Sequence, residues 1–251
     1  MILAIGNQKG GIGKSTTTQA MGAYYSIKGH KTLLIDLDPQ SNLTIATGAN
    51  RKGVLTTYDL LNKNIRVNIK EAIQPIKNNL HIIPASNKLS EIADYLPKIG
   101  RYDVLKKALK PIVSEYEVII LDTPPALSDL TLNAFMVAQK VVVPAQADLF
   151  SLEAIKELSG TIEAVREYNK GLEVAGILLT RYQKRSILTQ ELTELIEETS
   201  KNLNTKVFKR PIREAVAIKE AQAMHQDIFT YAPKSKVAED YEAFIKELKA
   251  I

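Results

Sequence analysis

The first sixteen residues, MILAIGNQKGGIGKST, restrict the fold more than any other stretch of the 251-residue chain. Met1 to Ile5 is an apolar run of the length of one buried strand. Gln8-Lys9-Gly10-Gly11-Ile12-Gly13-Lys14-Ser15 follows as a glycine-rich turn, and Thr16 to Gly29 reads as a helix. A strand, a glycine loop and a helix in that order hold a phosphate chain. Glycines let backbone N–H groups turn inward, and the helix N-terminus adds partial positive charge. Lys9 through Thr16 form the expected cradle, with Lys14 reaching the β- and γ-phosphates and the Ser15 hydroxyl ligating Mg²⁺. A glycine turn with two solvated lysines is the bland alternative, and the flanking strand and helix argue against it.

The loop departs from the common pattern, which places a glycine where this chain has Gln8. Its distinguishing feature is a second lysine, Lys9, in KGGIGKS. That form resembles the deviant Walker A loop of the ParA/MinD family of ATPases. The resemblance extends to the last helix and is nearest to the short, Soj-like ParA DNA-partition proteins. It implies ATP and Mg²⁺ as cofactors and slow hydrolysis. It also implies an ATP-sandwiched homodimer in which Lys9 reaches the partner's nucleotide. The expectation is one ParA-type ATPase domain over residues 1–251, with no helix-turn-helix extension before the loop.

Further acids fall where the resemblance wants them. KTLLID (31–36) is a short apolar run that ends in Asp36-Leu37-Asp38-Pro39-Gln40. Read alone, two loop acids cap a turn; after KGGIGKS they resemble the family's DxDPQ element. On that resemblance Asp38 activates the attacking water and Asp36 lies near the metal. EVIILD (117–122) is another apolar strand ending in acid, the arrangement in which Asp122 holds Mg²⁺. The DTPP that follows resembles the family's γ-phosphate sensor. The strand VAGILLTRY (174–182) ends where the family contacts adenine, which nominates Arg181.

Apolar strands alternate with helices along the whole chain. The reading is α/β: a doubly wound, mostly parallel sheet of seven or eight strands flanked by helices, of the P-loop NTPase type. TKVFKR (205–210) is expected as the last strand, NIKEAIQ (68–74) as a short amphipathic helix, and Ser151 as the N-cap of a helix reaching Tyr168. Helices are also expected within 88–114, over 189–203, 214–225 and 236–250.

Composition narrows the function. Absence of Cys excludes thiolate metal centres and an iron–sulfur ATPase. Hydrophobic residues make up 45%, enough for a full core. No apolar run approaches membrane-spanning length, and with the first strand starting at once no signal peptide is expected. The expected location is the cytoplasm, on the nucleoid. The net charge of +5 permits nucleic-acid binding without demanding it. Lys201, Lys206, Lys209, Arg210, Arg213 and Lys219 lie within 201–219 against one acid, Glu214. The resemblance makes this the non-specific DNA contact, and a solvated basic surface is the alternative; Arg213 equally suits the nucleotide.

The expected function is therefore DNA partition, with hydrolysis stimulated by a ParB-like partner. A MinD-like membrane-cycling ATPase is the alternative. The last helix bears on that choice. It carries an apolar stripe, Val237, Tyr241, Phe244, Ile245 and Leu248, that suits core packing. Its polar face reads as acidic, with Glu239, Asp240, Glu242 and Glu247, which a bilayer of anionic lipid disfavours.

Overall fold

The computed structural model describes residues 1–183 and 187–250. The first half of the chain gives β1 (Ile2–Ile5), α1 (Lys14–Ile27), β2 (Thr32–Asp36), α2 (Asn42–Thr47), α3 (Thr57–Leu61), β3 (Gln74–Lys77), β4 (Leu80–Ile83), α4 (Ile92–Tyr95) and α5 (Val104–Leu109). Then come β5 (Val118–Asp122), α6 (Asp129–Val137), β6 (Lys140–Ala145), α7 (Leu149–Arg166), β7 (Glu173–Leu179), α8 (Ile187–Ser200), α9 (Val216–Ala223), α10 (Ile228–Tyr231) and α11 (Lys236–Lys249).

Seven strands join one sheet in the order β3-β4-β2-β5-β1-β6-β7, parallel throughout except for β3. The central strands are buried along their whole length, as continuous apolar runs covered on both faces must be. Alternate residues feed two cores. Ile2, Ala4, Leu33, Ile35, Ile119 and Leu121 point to the side covered by α3 to α8. Leu3, Ile5, Leu34 and Ile120 point to the side covered by α1, α10 and α11. Register then sets the site: Ile5 and Asp36 each lie opposite Asp122, so the glycine loop and both acids leave neighbouring strands at one level.

Three expectations are corrected. Residues 205–210 form no strand: single bridges join Val207 to Ile177 and Arg213 to Tyr182, because Pro211 interrupts any ladder. Residues 68–74 hold only a 3₁₀ turn, Ile69–Ala72, before the antiparallel edge strand β3. The cap of α7 is Asp148, whose Oδ1 accepts the Ser151 N–H at 2.7 Å. The helix therefore begins two residues before Ser151.

Candidate functional site

The glycine loop curls over the carboxyl end of β1. Gly11 and Gly13 have φ of 72° and 83°, left-handed values that side-chain-bearing residues adopt at a cost. Gly13 is the N-cap of α1, and Lys14 is the helix's first residue. Two bonds from β7's exit fix the loop. Thr180 Oγ1 donates to the Ile12 carbonyl at 2.8 Å, and Arg181 Nη1 donates to the Gly11 carbonyl at 3.4 Å. Arg181 is itself left-handed, with φ 49°, and its Nη2 pairs with Glu214 at 2.9 Å.

Lys14 is buried, and its Nζ donates to the Lys9 carbonyl at 2.6 Å. Burial lowers its pKa, opposed by the carboxylates of Asp122 and Asp38. Asp122 is fully buried. Its Oδ1 accepts from Thr18 Oγ1 at 3.2 Å, and its Oδ2 has no partner. Burial, then the nearby Asp36, push its pKa well above the ordinary carboxylate value. A buried orphan carboxylate oxygen beside the Ser15 hydroxyl, facing a phosphate cradle, fits Mg²⁺ or one of its waters. Among the described residues no cluster of three or more acids or imidazoles forms an all-protein cage.

Asp38 is buried, with Oδ1 accepting the Gln40 N–H at 2.9 Å, and burial raises its pKa. Asp36 is committed elsewhere. Its Oδ2 accepts the N–H and hydroxyl of Thr44 at 2.9 and 2.6 Å, and its Oδ1 accepts the Asp38 N–H at 3.0 Å. Asp36 thus braces the loop that presents Asp38.

Lys14, Ser15 and Asp38 line a cleft of about 470 Å³. One wall is Gly10, Gly11 and Gly13 to Thr16. The other is Ile212 to Ala215 with Ile218, Lys219 and Tyr241, and Asp38, Thr180 and Arg181 complete it. Lys9 lies outside this lining. Its ammonium pairs with Asp148 and approaches Ser151 Oγ at 3.4 Å.

The basic residues divide. Lys201 and Lys209 are exposed, and Lys206 pairs with Glu247 at 3.1 Å. Arg210 and Arg213 both pair with Asp240, while Arg213 and Lys219 line the cleft. Asp240 is 1% exposed, so it does not belong to the polar face of α11. It sits three residues after Val237 and four before Phe244, which places it on the apolar stripe, a signal present in the sequence. Of the acids read onto that face, Asp240 and Glu247 both fold back on the basic segment.

The fold and cleft define a P-loop nucleotide-binding protein. A family model described as an AAA domain matches residues 1–174. The sporulation initiation inhibitor protein Soj of Bacillus subtilis is 37% identical over 99% of this chain and 98% of its own. The chromosome-partitioning ATPase Soj of Treponema pallidum is 36% identical over 97% and 95%. Among solved structures, cobyrinic acid a,c-diamide synthase from Mycobacterium smegmatis with bound ATP analog and magnesium superposes with a TM-score of 0.82. It is 29% identical and covers 98% of this chain and 92% of that one. The chain belongs to the ParA/MinD family of P-loop ATPases. No described helix is long and apolar enough to cross a membrane.

Proposed function

We propose that this chain is an ATP-dependent DNA-partition ATPase. ATP joins two copies into a dimer that grips nucleoid DNA without sequence preference, and hydrolysis stimulated by a ParB-like partner releases it. The observation that carries the reading is the division of labour between two lysines of one loop. Lys14 is buried in the cleft, while Lys9 is held outside it. A cation outside its own cleft suits a partner's nucleotide. The near full-length similarity to Soj proteins supports the same reading.

In this reading Lys14 and the loop N–H groups neutralise the β- and γ-phosphate oxygens, and Ser15 and Asp122 hold Mg²⁺ directly or through water. Bound there, Mg²⁺ supplies Lewis-acid charge neutralisation at the phosphates. Asp38 orients the attacking water, and Asp36 fixes the loop on which Asp38 sits. Thr180 and Arg181 hold the loop from the side where the base rests. Burial excludes water from these charges and strengthens their fields.

Light scattering with ATP, ADP or no nucleotide tests the dimer. A dimer with ATP alone, lost in Lys9→Ala, is the expected result, and a monomer throughout contradicts it. The membrane-cycling alternative needs a free amphipathic face, and Val237, Tyr241, Phe244, Ile245 and Leu248 on α11 are all buried. Co-sedimentation with anionic vesicles that requires ATP would favour it instead.

A further inference from the structure

Asp240 is a buried carboxylate surrounded by four donors. Its Oδ1 accepts from Arg210 Nε and Arg213 Nη2, each at 2.8 Å. Its Oδ2 accepts from Arg213 Nε at 2.5 Å and from the Arg213 N–H at 3.3 Å. Burial pushes the carboxyl pKa up, but the guanidiniums prevail and hold it below the ordinary value. Two arginines from one four-residue stretch therefore share one fixed anion.

The two ends of that stretch face different places. Ile212 to Ala215 is wall of the nucleotide cleft. It is anchored by the Ile212 N–H on the Leu179 carbonyl at 2.8 Å. The residue after Asp240, Tyr241, also lines the cleft, and its hydroxyl lies 3.5 Å from Thr17 Oγ1 in α1. Lys206, Lys209 and Arg210 lie outside the cleft. The Arg210 side chain is 47% exposed although its Nε is tied to Asp240. Asp240 is thus the shared contact between the cleft wall and the solvent-facing cations.

We infer that Asp240 is a positioning residue: by clamping Arg210 and Arg213 it ties the phosphate-gripping segment 206–210 to the cleft wall 212–215, so that nucleotide in the cleft sets the grip on a polyanion. The output rests on the DNA-binding reading; the internal coupling does not. A purely electrostatic role makes the opposite prediction. Removing an acid from beside a basic patch tightens binding to phosphates. Glu247, which pairs with Lys206 and accepts the Lys209 N–H at 3.0 Å, supplies that control on the same helix.

The test uses the full chain, random-sequence duplex DNA, and a non-hydrolysable ATP analogue with Mg²⁺ at saturation or absent. In the native chain the analogue tightens DNA binding by a factor in the usual range for linked sites, about 5 to 150. Asp240→Asn brings that ratio towards one, while Glu247→Gln keeps it and strengthens binding overall. Equal tightening in both variants, with the ratio intact, overturns the inference. Hydrogen–deuterium exchange is measured in parallel. Analogue-induced protection covers 206–210 in the native chain and is absent there in Asp240→Asn. If the native chain binds no DNA in either state, the partition reading fails and exchange alone decides the clamp. Protection of 206–210 that is identical in both proteins, or missing from the native chain, overturns it. Should Asp240→Asn not fold, Arg210→Gln cuts the same link, and protection then stops at Ile212; protection reaching Lys206 contradicts the clamp.

Discussion

Lys9 gives its ammonium to Asp148, 139 residues further along the chain, and Asp148 caps α7 with its other oxygen. One carboxylate therefore both restrains the lysine and starts the helix. An ion pair of this partial exposure is worth about 0.2–1 kcal/mol, and loss of an N-cap costs about 1 kcal/mol. Serine retains the cap and drops the charge. Asp148→Ser is expected to lower stability by no more than the pair is worth, about 0.2–1 kcal/mol, and to strengthen ATP-dependent dimerisation up to about fivefold. Asp148→Ala unfolds at lower denaturant. An unchanged dimerisation constant in Asp148→Ser would show that the pair does not restrain Lys9.

The roles proposed for Lys14 and Asp38 are separable. Lys14→Ala is expected to abolish nucleotide binding, because the buried cation facing Asp38 and Asp122 is gone. Asp38→Ala is expected to bind ATP normally and to hydrolyse it about 10²–10⁴-fold more slowly, the usual weight of a positioned proton acceptor. Fluorescent-nucleotide titration and phosphate release separate the two. Equal loss of binding in both variants would refute the assignment.

Stability should depend on pH through Asp36. Its burial raises the pKa from 3.8 to about 6. Between those values the native state holds a proton that the unfolded chain has released. The Asp36 contribution to stability in the nucleotide-free protein therefore falls as pH rises through that window, while His81, whose pKa burial lowers from 6.5, acts in the opposite direction just below that value. Asp122 acts in the same direction as Asp36, whereas Asp148 and Asp240, whose pKa values are lowered, cost stability only in acid below 3.8. Urea midpoints from pH 4 to 7 check this, and the slope should shrink in Asp36→Asn whatever its baseline. An undiminished slope in that variant would assign the effect elsewhere.

Gly176 permits the approach of the segment after α8. A Cβ there would lie 2.5 Å from the Phe208 ring, which packs edge-on against Phe244 with centroids 4.8 Å apart. With the ring held on both sides, Gly176→Ala is expected to destabilise by about 1–3 kcal/mol, as overpacked cores do. Chemical denaturation measures it, and a stability equal to the native chain would mean that the ring yields freely.

Much of this architecture was legible in the sequence. β1, β2, β5, β6 and β7 are apolar runs, and the chemistry-bearing residues at their exits converge because parallel register aligns them. β3 is not legible in the sequence because Gln74-Pro75-Ile76-Lys77 is a partly polar edge with no alternation. The start of α7 is hidden in the sequence because Leu149 and Phe150, 64% and 78% exposed, look like core residues of a strand exit. Charge counted along 201–219 does not include Asp240 and Glu247, which α11 brings from 27 or more residues away from the groups they bond. The Lys9–Asp148 pair has no local signature at all.

The most direct test of the account is binding to random-sequence duplex DNA with ATP, with ADP and without nucleotide, at two salt concentrations, in the native chain and Lys9→Ala. Salt-sensitive binding with ATP alone, lost in the variant, is the expected result. Binding indifferent to nucleotide, or absent in every condition, would contradict it.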